Sequence, residues 1–215
     1  MKDNLTELVF ILDRSGSMSG LESDTIGGFN SMIERQKNQY GEAFVTTVLF
    51  DDKYELLHDR VEIKKLQKMT DKEYYVCGCT ALLDAVGKTI NKIKAVHENM
   101  DENDKPQKTI FVITTDGYEN ASQEYSYKML REMIETQKEK YGWEFIFLGA
   151  NIDAVKEAEK FGITEDRAAT YKNDKRGIKL NYEVLSDTLD FMRSCERTIG
   201  SEWKNKIEED LEHRQ

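Results

Sequence analysis

Leu8-Val9-Phe10-Ile11-Leu12-Asp13-Arg14-Ser15-Gly16-Ser17 decides the fold of this chain. Five consecutive apolar residues without a charge read as a strand buried on both faces, the pattern of a parallel sheet. Such a strand ends at the carboxyl edge of the sheet, where open α/β sheets bind ligands. Within five residues of that edge the chain places a carboxylate, Asp13, and two hydroxyls, Ser15 and Ser17. All three carry hard oxygen donors, which suit a hard divalent cation such as Mg²⁺. The competing interpretation is a polar turn whose serines bond only to nearby backbone.

Two further segments repeat the logic. Thr109-Ile110-Phe111-Val112-Ile113-Thr114 is a second β-branched, apolar run, and it ends in Thr115-Asp116-Gly117. Between the two runs, Cys77-Gly78-Cys79-Thr80 precedes a helical pattern that opens with Ala81-Leu82-Leu83. Asp13, Ser15, Ser17, Thr80 and Asp116 therefore all fall where a strand or loop meets a helix. In this order the set resembles the metal-ion-dependent adhesion site (MIDAS) of the von Willebrand factor type A (vWA) domain, from about Leu5 to Gly149. The threonine loop departs from the family, which commonly has paired glycines where Cys79 stands here.

The resemblance implies roles. Ser15 and Ser17 match hydroxyls that ligate the ion directly, Thr80 a hydroxyl whose engagement varies with ligand state, and Asp13 and Asp116 carboxylates that act through waters. A site built mainly from neutral hydroxyls leaves the ion short of negative charge. Mg²⁺, with Mn²⁺ or Ca²⁺ as alternatives, would then keep one coordination position for an acidic oxygen from outside. The function implied is a divalent-metal-dependent protein-binding module, an adaptor or assembly factor rather than an enzyme, whose partner supplies a Glu or Asp. The resemblance is to intracellular bacterial and phage-type members. The alternative is a metal-dependent hydrolase or phosphatase using Asp13 or Ser15. Asp13 after a first strand resembles the nucleophile of haloacid-dehalogenase-type phosphatases, but Ser15 stands where those enzymes need a second Asp. A serine nucleophile needs a base, and His58, His97 and His213 are scattered away from the expected rim.

Composition narrows the partners. With 31 basic against 41 acidic residues the net charge is −10, which argues against nucleic acid as the partner. No segment is long and apolar enough to span a bilayer, and Leu8–Leu12 is too short for a signal peptide's apolar core. Three cysteines without a secretory signal fit a reducing cytoplasm. Cys77 and Cys79 could form a redox or zinc pair, but with no second pair or nearby histidine the spacing favours small residues that let the loop approach the ion.

Strands are expected at Leu5–Leu12, Phe44–Phe50, Tyr54–His58 (an antiparallel return after Asp51-Asp52), Thr109–Thr114, Phe145–Leu148 and Ala168–Tyr171. Helices are expected at Leu21–Tyr40, Ile63–Met69, Ala81–Val96, Ser126–Lys140, from Asp153 to Lys160, and over Lys179 to about Leu211 with a break at Gly200. The loop Glu98–Lys108 holds the only proline. The expected class is α/β, a Rossmann-like doubly wound and mostly parallel sheet with one antiparallel edge strand and helices on both faces. Residues 1–175 would form the vWA domain and 176–215 a C-terminal helical extension. Gly27-Gly28 implies close packing of the first helix against the sheet. Arg14 is assigned either to a partner's acid or to solvent, Asp84 to capping its own helix rather than to supporting the metal ligands from behind, and Glu119, Asn120 and Asn151 to the rim.

Overall fold

The computed structural model describes residues 1–195 and 198–214; positions 196 and 197, inside the stretch expected to be helical, and 215 lie outside the described residues. Six strands, β1 (Lys2–Asp13), β2 (Glu42–Phe50), β3 (Tyr54–Glu62), β4 (Pro106–Thr115), β5 (Glu144–Ala150) and β6 (Ala168–Tyr171), form one sheet in the order β3-β2-β1-β4-β5-β6. Every neighbouring pair is parallel except β2 with β3, the hairpin at one edge. This is the mostly parallel sheet with one antiparallel edge strand that the sequence implies.

β1 sits in the middle, which accounts for its unbroken apolar run. Leu8, Phe10 and Leu12 enter one core, and Val9 and Ile11 enter the other. The first core is roofed by α1 (Glu22–Lys37) and α5 (Lys175–Ser194), joined by Ile207 of α6 (Asn205–Glu212). The second is roofed by α2 (Leu82–Glu98), α3 (Tyr127–Tyr141) and α4 (Ala154–Lys160). A strand covered on both faces shows no alternation of polar and apolar residues.

Several boundaries move for identifiable reasons. Only Ile63–Lys65 is helical, a single 3₁₀ turn, within the expected Ile63–Met69 helix. Asn30 on α1 grips Met69 by both backbone groups, at 2.9 and 2.8 Å, and so holds that segment out of a helix. β4 begins at Pro106, inside the expected loop, where the missing N–H costs least. α5 begins at Lys175, capped by Asp174, and ends at Ser194, before the expected break at Gly200. The ammonium of Lys108 donates to the carbonyls of Met192 and Cys195, which stops the helix there.

Of the two glycines of α1, Gly28 faces another helix rather than the sheet, and Gly27 faces open space. A Cβ on Gly28 would stand 2.3 Å from the ring of Tyr182 on α5, itself 5% exposed. The absent side chain lets α5 lie close against α1. Gly28→Ala is therefore expected to destabilise the chain by about 2 kcal/mol through overpacking, read as a lower urea midpoint. Gly27→Ala, with nothing within 4 Å of the added carbon, should be neutral or slightly stabilising.

Candidate metal centre

The carboxyl ends of β1 and β4 lie side by side, with Leu12 opposite Thr114. The next residues of each strand therefore meet across the sheet edge. Thr115 donates its hydroxyl to Asp13 Oδ2 at 2.6 Å, and Ser15 N–H donates to Asp13 Oδ1 at 2.7 Å. Both oxygens of Asp13 are thus fixed, and the residue is 2% exposed. Tyr74 Oη donates to the Asp13 carbonyl at 2.6 Å and anchors the strand end from below the loop.

From there a chain of polar contacts crosses the site. Ser15 Oγ lies 3.1 Å from Ser17 Oγ, and Ser17 donates to Asp116 Oδ1 at 2.5 Å. Thr80 reaches the same place from the loop before α2. A Cβ built on Gly117 would be 3.7 Å from both Ser17 Oγ and Thr80 Oγ1, so the two hydroxyls converge on that glycine. All five residues singled out in the sequence therefore face one small region at the sheet edge.

The loops are tied to each other as well. Cys77 N–H donates to the Arg14 carbonyl at 2.9 Å and Gly16 N–H to the Gly78 carbonyl at 3.2 Å. Asn120 clasps Thr80 reciprocally: Thr80 N–H donates to Asn120 Oδ1 at 2.9 Å, and Asn120 N–H to the Thr80 carbonyl at 3.1 Å. Asn151 places its amide 3.4 Å from the Asp116 carbonyl, at the rim as expected.

Two side chains take roles other than those expected. Arg14 reaches neither solvent nor a partner. Its buried guanidinium pairs with Asp51 at 2.9 Å and Glu55 at 2.7 Å and stacks over the Tyr75 ring. Asp84 does not cap its own helix; its carboxylate accepts the backbone N–H groups of Gln123, Glu124 and Tyr125, each at 2.9 Å. The start of α2 is capped instead from across the site, by Glu119 accepting from Leu83 N–H and Ser122 Oγ accepting from Asp84 N–H. These exchanges bind the loop after β4 to the helix after Thr80.

Sequence reasoning missed Thr115 and Asn173. Thr115 precedes Asp116 at the strand end, so pairing β4 with β1 would have found it. Asn173 donates to Asp116 Oδ2 at 3.0 Å from the loop between β6 and α5, and no motif marks it.

Electrostatics suit a cation. Burial, reinforced by the nearby charge of Asp116, pushes the Asp13 carboxyl up to about 6 against the opposing bonds from Thr115 and Ser15. Burial also raises Asp116, which the bonds from Ser17 and Asn173 oppose. Among the described residues no three His, Cys, Asp or Glu side chains cluster, so the two carboxylates share their site with the hydroxyls of Ser15, Ser17 and Thr80 and the amide of Asn173. An oxygen-only set with two carboxylates whose charge is disfavoured by burial fits a hard divalent ion.

The pH dependence follows. The folded chain holds the Asp13 proton more tightly than the unfolded chain, whose carboxyl titrates near 3.8. Its contribution to stability is complete below that value and lost as pH rises through about 6. Urea unfolding with chelator present should show wild type losing stability relative to Asp13→Asn over this interval. Parallel profiles for the two would contradict the burial of this charge.

No protein-family model and no curated protein matches the chain. Solved structures do. The vWF domain of the type V pili tip protein Mfa5 from Porphyromonas gingivalis aligns with a TM-score of 0.62 at 8% identity, over 90% of this chain and 98% of that one. The fold is that of a von Willebrand factor type A domain. The same vWA fold relates the chain to manganese-loaded TRAP protein of Plasmodium vivax, with a TM-score of 0.60 and 16% identity over 84% of this chain and 72% of that one. Proximal thread matrix protein 1 from the mussel byssus, solved with a zinc-occupied MIDAS motif, aligns with a TM-score of 0.57 and 14% identity. That alignment covers 86% of this chain and 46% of the mussel protein, so the chain spans about half the length of that relative.

Proposed function

We propose that this chain is a divalent-metal-dependent protein-binding module, an adaptor or assembly factor, that engages an acidic side chain of a partner protein. The observation that carries this is the convergence of Asp13, Ser15, Ser17, Thr80 and Asp116 on one sheet edge. Of the structures similar to it, one is described as manganese-loaded and one with a zinc-occupied MIDAS motif. Mg²⁺ is the ion we assign, since every donor is a hard oxygen. Bound there, it would supply an electrophilic position for a Glu or Asp oxygen. Ser15, Ser17 and Thr80 would hold it, with Asp13 and Asp116 compensating its charge. Thr115 and Asn173 fix those two carboxylates, and Asn120 fixes Thr80.

An enzymatic role is the second reading, and burial weighs against it. Asp13 has both oxygens engaged, and Ser15 is as buried as Asp13. A nucleophile needs a path to substrate and a base within reach. Among the described residues no helix is long and apolar enough to cross a membrane. With free thiols at Cys77, Cys79 and Cys195, the cytoplasm is the compartment we propose.

The test compares affinity capture on wild type with Mg²⁺, wild type with chelator, and a Ser15→Ala/Ser17→Ala chain with Mg²⁺. A partner retained only in the first arm supports the proposal, and its Asp or Glu scan should contain one residue whose loss abolishes capture. Phosphatase or esterase turnover that disappears in Asp13→Ala and Ser15→Ala would replace it with the enzymatic reading.

A further inference from the structure

The loop that presents Thr80 carries two thiols that the metal centre does not use. Cys77 and Cys79 are both exposed and free, and Gly78 alone separates them. Gly78 sits at φ +68°, so the backbone turns there instead of extending. Residues two apart are about 7 Å apart between Cα atoms when the chain is extended. A turn shortens that distance toward the range of about 4.4–6.8 Å that disulfides span. Cys195 follows α5 and bonds through its carbonyl to Lys108 near the start of β4, at the sheet edge opposite the metal centre.

We propose that Cys77 and Cys79 form a thiol–disulfide site that exchanges with small-molecule disulfides, and that closing it weakens cation binding at the adjoining centre. The second half rests on the metal-binding function proposed above. In the exchange, one cysteine thiolate attacks a disulfide R–S–S–R, forming a mixed disulfide and expelling R–S⁻. The other cysteine thiolate then attacks the protein sulfur and expels the second R–S⁻. The two protein thiols are oxidised, one R–S–S–R is reduced, and the two thiol protons end on two R–SH. A disulfide across a single residue is strained and exposed, which places it among those that reopen readily.

The coupling is geometric. Closing the ring must rotate the backbone between Cys77 and Cys79. Within that stretch Cys77 N–H bonds the Arg14 carbonyl and the Gly78 carbonyl receives Gly16 N–H, so both contacts to the Asp13–Ser17 loop move. Thr80 is the next residue. The segment also has no slack toward the β2–β3 turn, since a Cβ on Gly78 would stand 2.0 Å from Asp52 Oδ1.

The experiment uses a Cys195→Ser chain treated with glutathione disulfide, then acid-quenched for intact mass and peptide mapping. In parallel, Mn²⁺ binding is measured by equilibrium dialysis on reduced, oxidised and re-reduced samples. The expected result is loss of two hydrogens, a Cys77–Cys79 link, and Mn²⁺ affinity about tenfold weaker, restored by reduction. A Cys77→Ser/Cys79→Ser chain should bind Mn²⁺ like the reduced protein and ignore glutathione disulfide. Retention of a glutathionyl adduct, or linkage between two chains, overturns the site. An internal disulfide with unchanged Mn²⁺ affinity overturns the coupling. A reduced chain that binds no Mn²⁺ overturns both the metal-binding function and the coupling, while the mass data still decide whether the disulfide site exists.

Discussion

Free Mg²⁺ or Mn²⁺ at a hundred times its dissociation constant should raise the melting temperature by about 5–10 °C. An ion that binds only the folded state contributes about 2.7 kcal/mol at that excess, and each kcal/mol moves the midpoint of a chain this size by about 2–4 °C. The shift has a specific origin: Asp13 and Asp116 are 2% and 1% exposed, and burial disfavours the charge on both. A bound cation would compensate what the fold leaves uncompensated. The effect should shrink as pH falls through about 6, because a proton on Asp13 competes for the same oxygens. Asp13→Ala should abolish most of the shift. Scanning calorimetry with Mg²⁺, Mn²⁺ and Ca²⁺ reads all three, and a midpoint indifferent to every ion would remove the metal from the account.

Arg14→Ala should cost about 3–5 kcal/mol, the largest single effect expected in this chain. The guanidinium and the carboxylate of Asp51 are both 3% exposed, so truncation strands a buried negative charge. Glu55 and the Glu73 carbonyl lose their partner in the same step. Arg14→Lys should recover only part of the loss, since one ammonium cannot reproduce the fork that meets Asp51 and Glu55 together. Urea unfolding of the three chains gives the order wild type, Lys, Ala. A surface arginine held for a partner would instead change stability by less than about 0.5 kcal/mol.

Arg14 also illustrates where sequence stops informing. Placed between Asp13 and Ser15, it looks like an exposed charge on a functional loop. Its burial depends on a hairpin, Asp51 and Glu55 on either side of the β2–β3 turn, whose position is known only once β1 and β2 are in register. Asp84 teaches the same lesson, because its three backbone partners lie in a loop nearly forty residues on. Gly28 signals close approach, read from the sequence as contact with the sheet, whereas its neighbour, Tyr182, comes from the far end of the chain. What could be read directly was whatever local pattern controls: the uncharged run of β1, its partner β4, the turn at Asp51-Asp52, and the helix starts at Ser126 and Asp153. The oxygen-bearing motifs belong to that class, since each lies at the end of an element whose limits the sequence marks. Asn173 does not, because it follows a four-residue edge strand with no distinguishing chemistry around it.

The central position of β1 has a consequence for synthesis. Translated before the other five strands, this strand acquires its neighbour β2 about thirty residues later, yet its other flank waits for Pro106–Thr115. At about 5–20 residues per second, the ribosome leaves the second hydrogen-bonding edge of a very apolar strand open for several seconds. A nascent chain stalled before residue 106 should therefore recruit holdase chaperones or self-associate, and release of β4 should end both.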